Sequence, residues 1–181
     1  MIRILESPIG SDRLNAACDF VRSFPAGSEL LLIGSSRESI DDLARQLSLA
    51  TTATFGLHRF SLTQFAARMA AAGLGRQQLA PVTGLATEAV AARASFEAAR
   101  SGGLKYFLPV ARRPGFSRAV AATVTELRLA GVSPSSVGQL GDAGSDLAEL
   151  MKEFEEQLVR GRVADRKQLF QIALAAVESA S

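Results

Sequence analysis

The chain has 181 residues, of which 48% are hydrophobic and 21% charged, and this composition excludes intrinsic disorder as its general state. One cysteine (Cys18) and one histidine (His58) exclude both a disulfide framework and a zinc site built from Cys and His ligands. No apolar run approaches the roughly 18 residues of a membrane helix, and Glu6 and Pro8 interrupt the N-terminus where a signal peptide would stay apolar. We therefore expect a soluble, cytoplasmic protein with no membrane partner.

The net charge of +2 conceals an uneven distribution of charged residues. Residues 43–125 contain ten basic and two acidic side chains, whereas residues 1–42 and 126–181 each carry a net charge of −3. Arginine supplies 17 of the 20 basic residues, and its planar guanidinium suits bidentate contact with phosphate. The basic middle segment favours a polyanionic partner. The alternative is that these arginines simply lie on solvent-exposed helix faces.

Strand-like and helix-like segments alternate in the first part of the chain. Apolar runs at residues 2–5, 30–33 and 57–60 predict three strands, and the continuous run 30–33 is typical of a strand buried on both faces of a parallel sheet. Each run precedes a helical stripe, which predicts βαβ units. The stripes cover residues 12–24, the region around 40–47, and 61–73, with Gly73 as the predicted end of the third helix.

The second part of the chain predicts helices without strands. Apolar periodicity indicates helices at residues 84–100, 115–130, 146–160 and 165–179. The composition changes between Gly73 and Thr83, so we divide the chain into an α/β subdomain at 1–78 and a helical subdomain at 79–181.

The turn after the first predicted strand lies where a phosphate-binding loop would be. Such a loop needs glycines around the phosphates, a lysine, and a hydroxyl for Mg²⁺. Here Asp12, Arg13 and Leu14 occupy the last glycine, lysine and hydroxyl positions, so we interpret Gly10, Ser11, Asp12 and Arg13 as a degenerate nucleotide site. The sequence predicts no catalytic residue, no metal site and no cofactor in this chain.

The turns after the second and third predicted strands are candidate phosphate sites. Ser35 with Glu38, and Ser61 with Gln64, have the spacing of a capping box, so a helix is expected to begin at each turn. Helix N-termini at strand ends favour anions. The candidate DNA-binding residues are Ser35, Ser36, Arg37, His58, Arg59 and Gln64 at these turns, with Arg112 and Arg113 from an exposed loop.

Several segments, taken in order, resemble the N-terminal part of the AddB-like helicase–nuclease proteins, bacterial DNA-repair proteins of the PD-(D/E)XK nuclease superfamily. The matching segments cover nearly the whole chain. They are LLLIGSSR at 30–37, DDL at 41–43, FSLTQFA at 60–66, PGF at 114–116, TELRLAGV at 125–132, DL at 146–147 through FE at 154–155, and VADR at 163–166 leading to Leu169.

The resemblance implies a P-loop-NTPase-like parallel sheet, equivalent to helicase domain 1A, with an all-helical insertion equivalent to 1B. It also implies that the Gly34–Arg37 turn corresponds to helicase motif Ia and that the helix start at Ser61 corresponds to the next DNA-contacting motif. The chain would then be a catalytically inactive N-terminal fragment of an ATP-dependent exonuclease subunit or PD-(D/E)XK nuclease. The implied partners are single-stranded or branched DNA and a helicase–nuclease partner subunit.

Two other functions remain open from the residues alone. A small doubly wound α/β enzyme could act on a phosphorylated ligand at Gly10 or Ser35, and the Ala-rich helices could form a protein–protein docking module. DNA affinity that falls as the salt concentration rises would favour the DNA-binding function over both alternatives.

Overall fold

The computed structural model describes residues 4–49 and 56–179. Over these residues the chain is mixed α/β and mostly helical. It forms two compact units, Met1–Phe65 (unit 1) and Ala66–Ser181 (unit 2). None of the helices in the described ranges is long and apolar enough to cross a membrane.

Unit 1 contains a βαβ element preceded by a helix. In chain order it consists of α1 (Gly10–Arg22), β1 (Leu30–Gly34), α2 (Arg37–Leu49) and β2 (Leu57–Ser61). The two strands are parallel, in a register that pairs Leu30 with Leu57 and Gly34 with Ser61. The buried side chains come from α1 and α2: Cys18, Ile40, Ala44 and Leu47.

The predicted three-stranded P-loop-like sheet is wrong over the described residues, where each of two sheets has two strands. The first predicted strand, 2–5, lies partly outside those residues, and its described members Ile4 and Leu5 are in no strand. Their side chains are exposed, so no burial offsets the entropy of ordering an extended segment. The prediction that residues 30–33 are buried on both faces is also wrong, because Leu31 and Ile33 are 48% and 44% exposed.

Unit 2 contains most of the helices. The third helix begins at the end of unit 1 and continues into unit 2, and the two units divide between Phe65 and Ala66, after its first turn. The elements are α3 (Leu62–Gln77), β3 (Ala80–Pro81), α4 (Gly84–Arg100), α5 (Phe116–Leu129), α6 (Pro134–Gly138), α7 (Gly141–Gly161), β4 (Val163–Ala164) and α8 (Arg166–Glu178).

The segment predicted to be all-helical also contains one small parallel pair of strands. Ala80 pairs with Val163 and Pro81 with Ala164, directly after the helices α3 and α7 end. Both helices end at a residue with positive φ, Gln78 at 56° and Arg162 at 49°, which turns the chain out of the helix. The sequence pattern missed this pair because two residues are too few to show a strand period.

Two apolar clusters hold unit 2 together. The larger cluster joins α4, α5 and α7 around the fully buried Phe154, Met151 and Val124. The smaller cluster joins α3 and α8 through alanines and leucines, and Gly73 of α3 lies against Ile172 of α8. A Cβ on Gly73 would lie 2.5 Å from Cγ2 of Ile172, so glycine allows the two helices to approach closely. The prediction that the third helix ends at Gly73 is therefore wrong. The helix continues to Gln77, and Gly73 lies inside it, at the close contact with α8.

A buried ionic group joins α5, α7 and α8. Arg128 is buried, and its Nε lies 2.5 Å from Oδ2 of Asp165, which is also buried. The same guanidinium pairs with Glu155 of α7. Asp165 in addition caps α8 by accepting the N–H of Gln168 at 3.0 Å, so one carboxylate serves both the ion pair and the helix start.

We expect Arg128→Met to lower the free energy of unfolding by about 3–5 kcal/mol, because it leaves the buried Asp165 carboxylate without its cation. The matched control is Arg160→Met on α7, whose exposed pair with Glu156 should contribute about 0–1 kcal/mol. Urea unfolding of the full chain, followed by far-ultraviolet circular dichroism, measures both. Equal losses in the two variants would contradict the importance of the buried pair.

Candidate nucleic-acid interface

Polar groups of the predicted nucleotide turn form hydrogen bonds within the turn. The hydroxyl of Ser7 donates to Asp12 at 3.3 Å and accepts the N–H of Ile9 at 3.1 Å. The guanidinium of Arg13 donates to the carbonyl of Ser7. Gly10 and Ser11 lie in the first turn of α1. Two of the predicted site residues, Asp12 and Arg13, are thus each hydrogen-bonded to Ser7 within this turn.

Serine hydroxyls cap the N-termini of the two helices that follow β1 and β2. Ser61 and Gln64 form the predicted capping box, with Ser61 Oγ accepting the N–H of Gln64 at 3.2 Å and Gln64 Oε1 accepting that of Ser61 at 3.0 Å. At the other turn the cap is Ser36, which accepts the N–H of Ser39 at 3.2 Å, and not Ser35 as predicted. The helix starts one residue later, at Arg37, so the hydroxyl that reaches its third N–H is that of Ser36.

Arg37 and Arg59 meet on one carboxylate. Nε of Arg37 and Nη1 of Arg59 each lie 3.2 Å from an oxygen of Asp41. With Arg45, which pairs with Asp42 at 2.6 Å, they line a surface groove of about 550 Å³ in unit 1, the Asp41 groove. The structure thus brings the two candidate arginines together, and it also places a compensating acid between them.

His58 lies on the opposite face of the β1–β2 pair from Arg59, because side chains alternate along a strand. Its Nε2 pairs with the carboxylate of Glu29. Arg59 points toward α2 through Asp41, whereas His58 shares the other face with Leu31. The predicted DNA-binding residues of unit 1 therefore do not form one surface.

A second groove lies wholly in unit 2, between α4 and the start of α5. It has a volume of about 440 Å³, and its polar and aromatic lining consists of Ser95, Phe96, Arg100, Arg112, Arg113 and Ser117; we call it the basic groove. Arg112 and Arg113 are exposed, and no acid among residues 4–49 and 56–179 pairs with either side chain. Two uncompensated guanidiniums side by side are suited to neighbouring phosphate oxygens.

The segment that carries Arg112 and Arg113 is attached to the helical core by a buried carboxylate. Asp146 of α7 is 2% exposed and accepts the backbone N–H groups of Lys105, at 2.9 and 3.0 Å, and of Phe107, at 2.8 Å. Gly115, with φ of +86°, then turns the chain from Arg113 into α5. Buried hydrogen bonds to a charged acceptor are strong, so this loop has a defined position in unit 2.

Glu97 neutralises part of the charge beside the basic groove. Its buried carboxylate pairs with Nη2 of Arg93 at 2.6 Å and with Nη2 of Arg100 at 2.7 Å. The hydrogen bond from Arg100 holds the pKa of Glu97 below its usual value, so the carboxylate stays ionised at neutral pH. Arg100 therefore lines the groove while bound to an acid, unlike Arg112 and Arg113.

Sequence reasoning found Arg112 and Arg113 but missed Phe96 and Arg100. Both missed residues lie on α4, within a helix whose other face is buried, and helical periodicity does not show which loop lies beside an exposed face. The available signal was the spacing of Phe96 and Arg100, four residues apart and so on one side of the helix.

Comparison with known proteins adds no family to this description. No protein-family model matches the sequence, and no curated protein is significantly similar to it. Within the described part of the chain, no group of three or more His, Cys, Asp or Glu side chains comes together in a way that could hold a metal ion.

We expect the chain not to bind ATP with micromolar affinity. The turn at Gly10 lacks the lysine and the hydroxyl of a phosphate-binding loop, and its Arg13 guanidinium is bonded to a backbone carbonyl. Isothermal titration of the protein with ATP and Mg²⁺ measures this directly. A one-to-one complex of micromolar Kd would contradict the degenerate-site interpretation.

Proposed function

We propose that the chain binds DNA, single-stranded or branched, through phosphate contacts centred on the basic groove, and that it performs no catalysis itself. The observation that carries the proposal is the pair Arg112 and Arg113. Their guanidiniums form no ion pair with an acid among the described residues, and both side chains border a groove. Phosphate contacts supply most of the affinity of sequence-independent binding, so such a pair suits this role.

The charge distribution along the chain supports the same proposal. The basic groove belongs to the segment 43–125, whose net charge is +8. The Asp41 groove of unit 1 is a weaker attractor for phosphate because Asp41 and Asp42 lie among its arginines. We therefore assign the principal contact to unit 2 and a secondary contact to Arg37 and Arg59.

The resemblance to AddB-like helicase–nuclease proteins extends the proposal to the biological setting. In that setting the chain is a helicase-like, catalytically inactive part of a cytoplasmic DNA-repair nuclease, and it acts beside a partner subunit. In the turn at Gly10–Arg13, Asp12 and Arg13 are hydrogen-bonded to Ser7, which agrees with a helicase-like domain without ATPase activity.

We expect Arg112→Ala with Arg113→Ala to weaken binding of a single-stranded oligonucleotide and to reduce the slope of log K against log salt by about 1.4, or about 0.7 for each phosphate contact. Fluorescence anisotropy with a labelled oligo-dT strand across a salt series measures the slope. The matched control, Arg37→Ala with Arg59→Ala, removes the same charge and should change the slope less, because Asp41 already compensates both side chains.

The control also separates the possible sites and functions. A larger change in the Arg37/Arg59 variant would move the principal contact to the strand-end turns of unit 1. No binding by the unaltered chain at low salt would reject the proposal and favour the docking-module or small-ligand alternatives.

We expect Glu97→Gln to strengthen DNA binding several-fold at low salt and to make the salt dependence steeper by about 0.7, because it releases Arg100 to contact phosphate. Glu88→Gln is the matched control, since Glu88 lies on the same helix and pairs with Arg118, a residue that does not line the groove. Equal effects of the two variants would show that only net charge matters and that Arg100 makes no specific contact.

A further inference from the structure

Phe96 is the aromatic residue of the basic groove, and 57% of it is exposed. The packing of α4 against the core does not use this ring. Ala91, Ala94 and Ala98 of α4 are fully buried, so the helix already has a complete inner face without this ring. The ring is free to contact a ligand.

A cation contacts the Phe96 ring from one side. The guanidinium of Arg93 lies over the ring, 5.5 Å from its centroid, and is itself held by Glu97 at 2.6 Å. Arg93 is absent from the lining of the basic groove, whereas Phe96 belongs to it. The arginine therefore contacts the ring from outside the groove, and much of the ring remains exposed where it borders the groove.

The space beside the open ring is bordered by small side chains. Ala92, Ala99 and Ala111 line the groove next to Phe96, and the hydroxyl of Ser95 is already bonded to the carbonyl of Ala91 at 2.8 Å. The groove volume of about 440 Å³ falls within the range of small-ligand sites. Small side chains on this part of the lining leave room for a flat aromatic group beside the ring.

The open ring and the two unpartnered guanidiniums of Arg112 and Arg113 lie in one groove. A ligand that matches both must carry a flat ring and phosphates, which is the chemistry of an unpaired nucleotide. We propose that Phe96 stacks on an unpaired base while Arg112 and Arg113 hold the adjacent phosphates, so the groove selects single strands over duplex. This inference rests on the proposed function and names the substrate class of the same site.

The test is the affinity of Phe96 variants for strands with and without bases. Phe96→Leu keeps an apolar side chain but removes the π face, and Phe96→Tyr keeps the ring. Loss of one stacked base corresponds to a fall in affinity of about 5- to 150-fold. We expect that fall for Phe96→Leu on oligo-dT, little change for Phe96→Tyr, and an unaltered salt slope in both, since no phosphate contact is lost.

An abasic strand of the same length and charge provides the decisive comparison. Phe96→Leu and the unaltered chain should bind it equally, and they should also bind a blunt duplex equally, because neither offers an unpaired base. An equal loss on oligo-dT and on the abasic strand would overturn the stacking proposal while leaving phosphate binding intact. Absence of binding to every oligonucleotide by the unaltered chain would instead overturn the proposed function, and the stacking proposal with it.

Discussion

The basic groove depends on the buried carboxylate of Asp146. This residue accepts two backbone N–H groups from the segment after α4, at Lys105 and Phe107, and it lies on α7, the central helix of unit 2. Without such an acceptor those N–H groups would have to be solvated, which would weaken the attachment of the loop to the core. Because Asp146 helps to hold the loop, the exposed side chains of Arg112 and Arg113 lie at a defined position beside α4.

Unit 2 uses charged residues in two different ways. Arg128 with Asp165, and Asp146 with the loop, are buried and satisfy structural hydrogen bonds. Arg112 and Arg113 are exposed and, over the described part of the chain, have no acidic partner. The first kind costs desolvation free energy that only good geometry offsets, whereas the second kind keeps its full charge available for a polyanion. Glu97 belongs between them, since it is buried and yet compensates a groove residue, Arg100.

The two grooves differ in the way an acid is placed among their arginines. In the Asp41 groove one carboxylate bridges Arg37 and Arg59, so the attraction for a phosphate is reduced at the point where two guanidiniums meet. In the basic groove Arg100 is the one lining arginine that Glu97 contacts, and Arg112 and Arg113 pair with no acid among the described residues. Total charge along the sequence does not distinguish these arrangements, since a Coulomb interaction depends on distance in the fold.

The sequence by itself determined the βαβ element at 30–61, the Ser61–Gln64 capping box and the helices of unit 2 apart from the short α6, because each depends on local periodicity or on neighbours three to four residues apart. It did not determine how many strands pair, since residues 4 and 5 form no strand although their pattern is apolar. It also misplaced the role of Gly73, which depends on Ile172 almost 100 residues away. Only the tertiary structure decided that Arg37 and Arg59 share Asp41 and that Phe96 lies beside Arg112. These are contacts between separate elements, and packing rather than local preference brings them together.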